Sequence, residues 1–398
     1  MIEYNINLRE EIFGSTLLNL KSGQREYLNN EETKNLLDNG ILPKNSCTNN
    51  LDKKIIIKFT KNNNISQNHF SFADIAYIEI THECNLRCKH CLNNSGNKMK
   101  DQLTDNEIFN LIIEFSKAGM QEIRFTGGEP LVHRRVYDFI ALAHQLGLYT
   151  SIGTNGTLIT TEVAKKLKSA GLDKAIISID GTEKSNDNIR GAGNYQRTID
   201  GIKNLESNNI KVRINSVIMK SNIDDVINLA KDLNKAKTHL MIRRFIESGR
   251  GSLLTGNTLT KKDYDYVRKE LKEELKGKYI IGHYLNEDEQ ITYRLKLPFN
   301  FTKGCKAGQR ALIILPNGDI NLCGFLAAQG FKPIGNIREV KNWILFWNKM
   351  HSKNYLKELK ENLDRYNSLP NVQKTNCLAY VQRMLTLEES KKGDKWYI

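Results

Sequence analysis

Cys84-Asn85-Leu86-Arg87-Cys88-Lys89-His90-Cys91 sets three thiols at C-x3-C-x2-C spacing directly after Ile75-Ala76-Tyr77-Ile78-Glu79-Ile80, an apolar run that predicts a β-strand. Three cysteines on one loop can wrap three corners of a [4Fe–4S] cube, leaving the fourth iron without a protein ligand and open to a small molecule. Taken alone, the eight residues leave two other readings open: a zinc site completed by His82 or His90, or three structural thiols. Soft thiolates suit zinc and iron–sulfur centres alike.

Thr126-Gly127-Gly128-Glu129-Pro130 begins 35 residues after Cys91 and again follows a strand-like run, Glu122-Ile123-Arg124-Phe125. The two motifs, in this order and at the ends of successive strands, resemble the radical S-adenosylmethionine (radical SAM) superfamily. The resemblance implies that a cluster on Cys84, Cys88 and Cys91 binds S-adenosylmethionine through the amino and carboxylate groups of its methionine part. One electron from the reduced cluster then breaks the sulfonium C–S bond and releases a 5′-deoxyadenosyl radical.

The chain has 398 residues and a mass of 45.6 kDa, enough for one large domain with smaller appendages. A net charge of +14 points to an acidic partner. Lys and Arg are scattered in pairs, with no basic run carrying interleaved aromatics, which disfavours nucleic acid. An acidic peptide or a small acidic electron carrier such as flavodoxin or ferredoxin suits the charge better; a solvated basic surface is the plain reading. Seven cysteines, three of them clustered, indicate a reducing compartment and a metal site, not a disulfide scaffold. With no basic start followed by an apolar segment and no run approaching about 18 apolar residues, neither a signal peptide nor a membrane span is expected, and the expected location is cytoplasmic.

From 74 to 250, strands near 75–80, 122–125, 148–153, 175–180, 212–218 and 240–245 alternate with helices near 104–118, 134–146, 161–170, 195–208 and 223–234. Six βα units predict an α/β fold with a parallel sheet. The resemblance shapes it into a partial (β/α)6 TIM-like barrel with its site at the strand C-termini. Residues 1–60 predict a small α+β module: a hairpin over 12–20 and 25–28, a helix from Asn30 stopped by Gly40, and a strand over 54–59. It is similar to leader-binding modules of peptide-modifying radical enzymes, where a precursor peptide adds as a strand to a sheet edge; a structural extension is the alternative. Residues 61–73 are the expected linker, 251–304 connect, and 305–398 form a C-terminal extension.

The resemblance also assigns cofactor contacts. Gly127 and Gly128 let backbone approach the ligand, and Glu129 accepts from the methionine ammonium or else stabilises the turn. His90 stands where the family carries an aromatic near the adenine. Asn155, Ser178 and Asp180 match positions contacting ribose or methionine, and Ile242 flanks the adenine. Arg190, in Asn188-Ile189-Arg190-Gly191, matches a position reaching the methionine carboxylate, which suits a planar guanidinium. Turn chemistry or core packing is the plainer reading for each strand-end residue. Arg243, Arg244, Glu247 and Arg250 line the barrel mouth or form a solvated rim.

Further on, 311–315 and 320–323 flank Pro316-Asn317-Gly318-Asp319, which predicts a hairpin. The C-x12-G-x4-C spacing from Cys305 resembles the twitch and SPASM extensions that carry auxiliary [4Fe–4S] clusters in peptide-modifying members. It implies one such cluster on Cys305, Cys323 and Cys377, with His351 or the substrate as fourth ligand; ordinary buried thiols in a degenerate extension are the alternative.

The implied activity is hydrogen-atom abstraction from a ribosomally synthesised peptide. A thioether or carbon–carbon cross-link removes two electrons from the substrate, of which one leaves with the deoxyadenosyl radical, so an auxiliary cluster as second acceptor favours cross-linking. Epimerisation is redox-neutral and needs a hydrogen donor, for which Cys377 or Cys47 is available. A radical enzyme acting on a protein side chain or small metabolite, and more distantly a zinc-containing nucleic-acid-binding protein, are the alternatives.

Overall fold

The computed structural model describes residues 4–43, 46, 55–62, 69–276, 279–282 and 307–352, and positions 361, 362, 364, 365, 367, 368, 377 and 381. Cys47 and Cys305 lie outside the described residues.

The N-terminal segment folds as β1 (Ile6–Glu11), β2 (Gly14–Asn19), β3 (Arg25–Asn29), α1 (Asn30–Asn39) and β4 (Ile57–Thr60). The sheet runs β3-β2-β1-β4, with β4 parallel to β1 and the other pairs antiparallel. Asn29, one residue before the expected cap, closes a capping box with Glu32, and Gly40 ends the helix at φ 65°. Ile6, Leu8, Leu17, Leu28 and Leu36 form a small core of their own. β1 is absent from the sequence reading because Arg9 and Glu11 make it look polar; both are buried and paired to each other at 2.6 Å.

The main sheet takes β5 (Ile75–Thr81), β6 (Glu122–Gly127), β7 (Tyr149–Thr154), β8 (Lys174–Ser178), β9 (Lys211–Ile218) and β10 (His239–Arg244), all parallel. Between them lie α2 (Asp105–Lys117), α3 (Val136–Gln145), α4 (Thr161–Ser169), α5 (Glu183–Arg190), α6 (Asn194–Ser207) and α7 (Ile223–Lys235), and after β10 comes α8 (Lys261–Glu270). β11 (Ile280–Gly282) extends the sheet beyond β10, and β12 (Ala311–Ile314) pairs in parallel with β5. β13 (Asp319–Asn321), α9 (Gly324–Ala328), β14 (Gly335–Asn336) and α10 (Trp343–Ser352) follow, with β13 and β14 antiparallel at the edge. The predicted C-terminal hairpin is thus continuous with the barrel sheet.

Alternation along the strands separates two faces. Ala76, Ile78, Ile123, Phe125, Ile152, Ile177, Ile214, Leu240 and Ile242 pack under the helices in the main core. The residues between them, including Tyr77, Arg124, Ser151, Arg213 and Arg243, line the concave side, a consequence of the period of two.

The N-terminal sheet docks at the strand N-termini. Asn7 Nδ2 donates to Gly147 O at 2.8 Å, and Gln121 Nε2 donates to the carbonyls of Asn7 and Thr16. Asp74, just before β5, accepts from Arg9 Nη2 at 2.9 Å and from Arg310 Nε, just before β12. Phe70 and Phe72, at the end of the expected linker, are buried, and Trp347 Nε1 donates to Phe70 O at 2.8 Å. The opposite end of the sheet, where the cysteine loop leaves β5, stays clear of this module.

Candidate metal and cofactor site

The loop after β5 is closed on itself before it presents any thiol. Cys84 N–H donates to Gly96 O and Gly96 N–H to His82 O, both at 3.0 Å. Arg250 then clamps it: Nε donates to Cys88 O at 2.8 Å, Nη1 to Ser95 O at 2.8 Å, and its backbone N–H to Cys91 O at 3.0 Å. A Cβ on the preceding Gly249 would lie 2.4 Å from Cys91 O, so this approach needs glycine. α5 braces the other side, with Lys89 N–H on Ile189 O at 2.9 Å and Lys89 Nζ on Asn188 Oδ1 at 2.7 Å.

Leu86 N–H donates to Cys84 Sγ at 3.4 Å, and Arg190 Nη1 lies 4.0 Å from Cys88 Sγ. Burial pushes the Cys84 thiol up to about 11, helped by Glu129 and the other two cysteines, and burial also raises Cys88. Thiols crowded in this way lose their protons to a bound cation, and three soft donors on one short loop fit a [4Fe–4S] cluster. Among the described residues no group of three His, Cys, Asp or Glu side chains converges as on a single metal ion. A cubane asks for a wider arrangement, one thiolate to each iron. His82 is no candidate ligand, because its ring nitrogens lie 2.9 Å from Asn97 O and 3.0 Å from Asn93 O.

Asp180 organises the far wall. Its Oδ2 lies 2.6 Å from His90 Nε2 and 2.7 Å from Arg190 Nε, while Oδ1 accepts from Val217 N–H at 2.8 Å. Burial alone would raise this carboxyl, but Arg190 and His90 beside it hold it well below the usual carboxylate range. Asp180 is fully buried and fixes His90 and Arg190 against the cysteine loop.

Glu129 takes the turn-stabilising role, the second of its two expected readings. It is fully buried, with Oε1 accepting from Thr154 Oγ1 at 2.7 Å and Leu131 N–H at 3.1 Å, and Oε2 accepting from Asn155 N–H at 2.8 Å. It fastens the ends of β6 and β7 together, and burial pushes its carboxyl up to about 7. Gly127 and Gly128 serve the same joint: added Cβ atoms would lie 2.2 Å from Thr81 O and 2.1 Å from Glu83 O. The close approach they permit is to the root of the cysteine loop. Asn155 Nδ2 donates to Asn85 Oδ1 at 2.9 Å, which ties β7 to the same loop.

Ser178 ends β8, half-buried and opposite Asn215. Ile242 has no exposed surface and belongs to the helix-facing core. Its neighbours Met241 and Arg243 take the concave face, so Ile242 follows the core reading of that strand end. Cys323 precedes α9 with the N–H groups of Phe325 and Leu326 directed at its sulfur, and burial together with Cys377 pushes its thiol up to about 11. Cys323 and Cys377 both lie within the field of Arg243. His351 stacks on His69 at 4.0 Å, with Nδ1 3.0 Å from Trp347 O.

A partial barrel of parallel strands whose first strand ends in a three-cysteine loop defines an iron–sulfur enzyme class, and the comparisons agree. Residues 78–233 match the Radical SAM superfamily. The chain is 30% identical to the AdoMet-dependent heme synthase of Methanosarcina barkeri over 282 residues, covering 66% of this chain and 78% of that protein. This protein belongs to the radical SAM superfamily, and its cofactors are a [4Fe–4S] cluster and S-adenosylmethionine. It is also 33% identical over 178 residues to the mycofactocin maturase MftC of Mycobacterium tuberculosis, covering 44% of this chain and 45% of that protein. Streptococcus suis SuiB bound to precursor peptide SuiA has the same fold, with a TM-score of 0.63 at 19% identity over 86% of this chain and 87% of that one. Membership of this superfamily removes the zinc nucleic-acid-binding alternative. Among the described residues no helix is long and apolar enough to cross a membrane.

Proposed function

We propose that this chain is a radical SAM peptide maturase that abstracts a hydrogen atom from a ribosomally synthesised peptide and installs a thioether or carbon–carbon cross-link. The observation that carries this reading is that Cys323 and Cys377, two free cysteines outside the cysteine loop, lie near enough to act on one another and on Arg243 electrostatically. Two further thiols at the barrel suit an auxiliary cluster as second electron acceptor, with Cys305 as the third thiol. The peptide named in the SuiB structure and the maturase relative MftC favour the same substrate class.

Cys84, Cys88 and Cys91 hold the cluster, which with bound S-adenosylmethionine supplies one-electron cleavage of the sulfonium bond. Arg190, aimed by Asp180, would orient the methionine carboxylate; His90, held by the same Asp180 carboxylate, would wall the adenine side. Glu129, Gly127, Gly128 and Asn155 keep the loop root at its distance from β6 and β7. Ser178, at the end of β8, would contact the ribose or methionine part. The N-terminal sheet receives the leader of the precursor at an edge strand, and a flavodoxin or ferredoxin brings the electron to the basic surface.

Co-production with a short peptide encoded beside the gene tests this: the peptide should lose two hydrogens in mass. An unchanged mass with deuterium entering a Cα in heavy water would instead mean epimerisation, with Cys377 or Cys47 as hydrogen donor. The heme synthase relatives favour a second reading, a small tetrapyrrole-type substrate. It predicts turnover of a porphyrin with no peptide present.

A further inference from the structure

Three strands place an arginine on the concave face: Arg124 on β6, Arg213 on β9 and Arg243 on β10. Arg124 is provided for, with Nη2 3.2 Å from Glu122 Oε1, Nε on Ser151 Oγ at 3.2 Å, and its guanidinium 4.7 Å from the centre of the Tyr77 ring. Arg213 is not. Arg213 Nε and Nη2 are enclosed without a hydrogen-bond partner among the described residues. Glu122 is the only carboxylate among the described residues that is paired with any of the three. Asn215 Oδ1, two residues along β9 on the same face, is likewise enclosed and unpartnered.

The three side chains feel one another. Burial, then Arg124 and Arg243, push Arg213 down to about 9. A guanidinium keeps its proton at neutral pH. The conflict therefore persists as unpaired positive charge inside the barrel, which destabilises the fold unless an anion enters. The planar fork of Arg213, left without a partner, is shaped for a carboxylate.

We propose that Arg213 and Arg243, backed by Arg124, form a docking site for a carboxylate of the substrate on the concave face of the barrel. This rests on the reading of that face as the substrate chamber of a radical enzyme, and adds that the substrate is acidic. An acidic peptide residue and a tetrapyrrole carboxylate are two carriers of the same chemistry; the Asn215 oxygen beside the arginines suits a carboxylate that has an N–H nearby.

The test uses the reconstituted holoenzyme with S-adenosylmethionine present and tricarballylate as probe, followed by calorimetry. Wild-type protein should bind it saturably and ignore the neutral triamide. Arg213→Gln and Arg243→Gln should each weaken binding at least ~10-fold, the loss of one charged hydrogen-bonding group. Lys262→Gln, the same charge change on the exposed surface of α8, should leave it intact. Arg213→Gln should melt no lower than wild type without ligand, because it removes an unpaired charge; this separates lost binding from lost folding. Two further arms, an N-acetylated glutamyl tripeptide amide and coproporphyrin III, tell which carrier binds. Absence of tricarballylate binding, or binding indifferent to both arginine variants, overturns the proposal. 5′-Deoxyadenosine release is assayed alongside: its absence with carboxylate binding intact refutes the radical reading alone, and its presence without carboxylate binding refutes the docking site alone.

Discussion

Asp180 Oδ2 lies 2.6 Å from His90 Nε2 and thereby joins the C-terminal end of β8 to the cysteine loop that leaves β5. The same oxygen holds Arg190, whose other arm reaches toward Cys88 Sγ. Asp180→Asn removes the charge that both partners need. Chemical denaturation should show a loss of about 3–5 kcal/mol, the usual result of stripping one member from a buried pair. Affinity for S-adenosylmethionine should fall by roughly tenfold, about 1.4 kcal/mol, while iron per chain is retained because the three thiols are untouched. Because the Asp180 carboxyl is held below its ordinary range, its contribution is present above the unfolded pKa and is lost as pH falls through the folded one.

Glu129 gives the opposite pH signature. Its carboxyl is pushed from its ordinary 4.5 up to about 7 by burial. The folded state therefore binds a proton that the unfolded state has released, and stability falls as pH rises from about 4.5 through about 7. Melting curves of cluster-free protein across that window should show wild type losing stability relative to Glu129→Gln as pH rises, while Glu79, likewise pushed up to about 7 by burial, contributes the same slope to both. A slope unchanged by the substitution would contradict the assignment.

Asp74 holds Arg9 and Arg310 in a buried network where β1, β5 and β12 meet. Asp74→Ala leaves two buried guanidiniums without their shared carboxylate, and should cost about 3–5 kcal/mol. Limited proteolysis should then release the N-terminal segment before the barrel is cut.

Gly128→Ala would bring a Cβ within 2.1 Å of Glu83 O. The obstacle is backbone, so the loop root must move. Iron bound after reconstitution should drop well below wild type, with little change in the far-ultraviolet circular dichroism.

The six barrel strands were legible because each is a β-branched or apolar run bounded by turn residues, and the cysteine loop because its ligands are consecutive in sequence. β1 was hidden by Arg9 and Glu11, a polar pair that is buried only because Asp74 lies far along the chain. α5 was hidden by a polar face that buries only Asn186 and Ile189, although Arg190 rides on it. β11 is three residues long and carries no periodic signal. The roles of Asp180, Glu129 and Arg250 depend on partners 25 to 162 positions away, which no local pattern encodes.

The most direct test of the radical centre is 5′-deoxyadenosine release from S-adenosylmethionine by anaerobically reconstituted, dithionite-reduced protein, measured beside iron content. Wild-type protein should hold iron and release the nucleoside, and Cys84→Ala should lose both its loop-bound iron, about four per cluster, and the release. Zinc without iron in the wild type, or release undiminished in Cys84→Ala, would contradict the assignment of Cys84, Cys88 and Cys91 as the centre around which this protein is built.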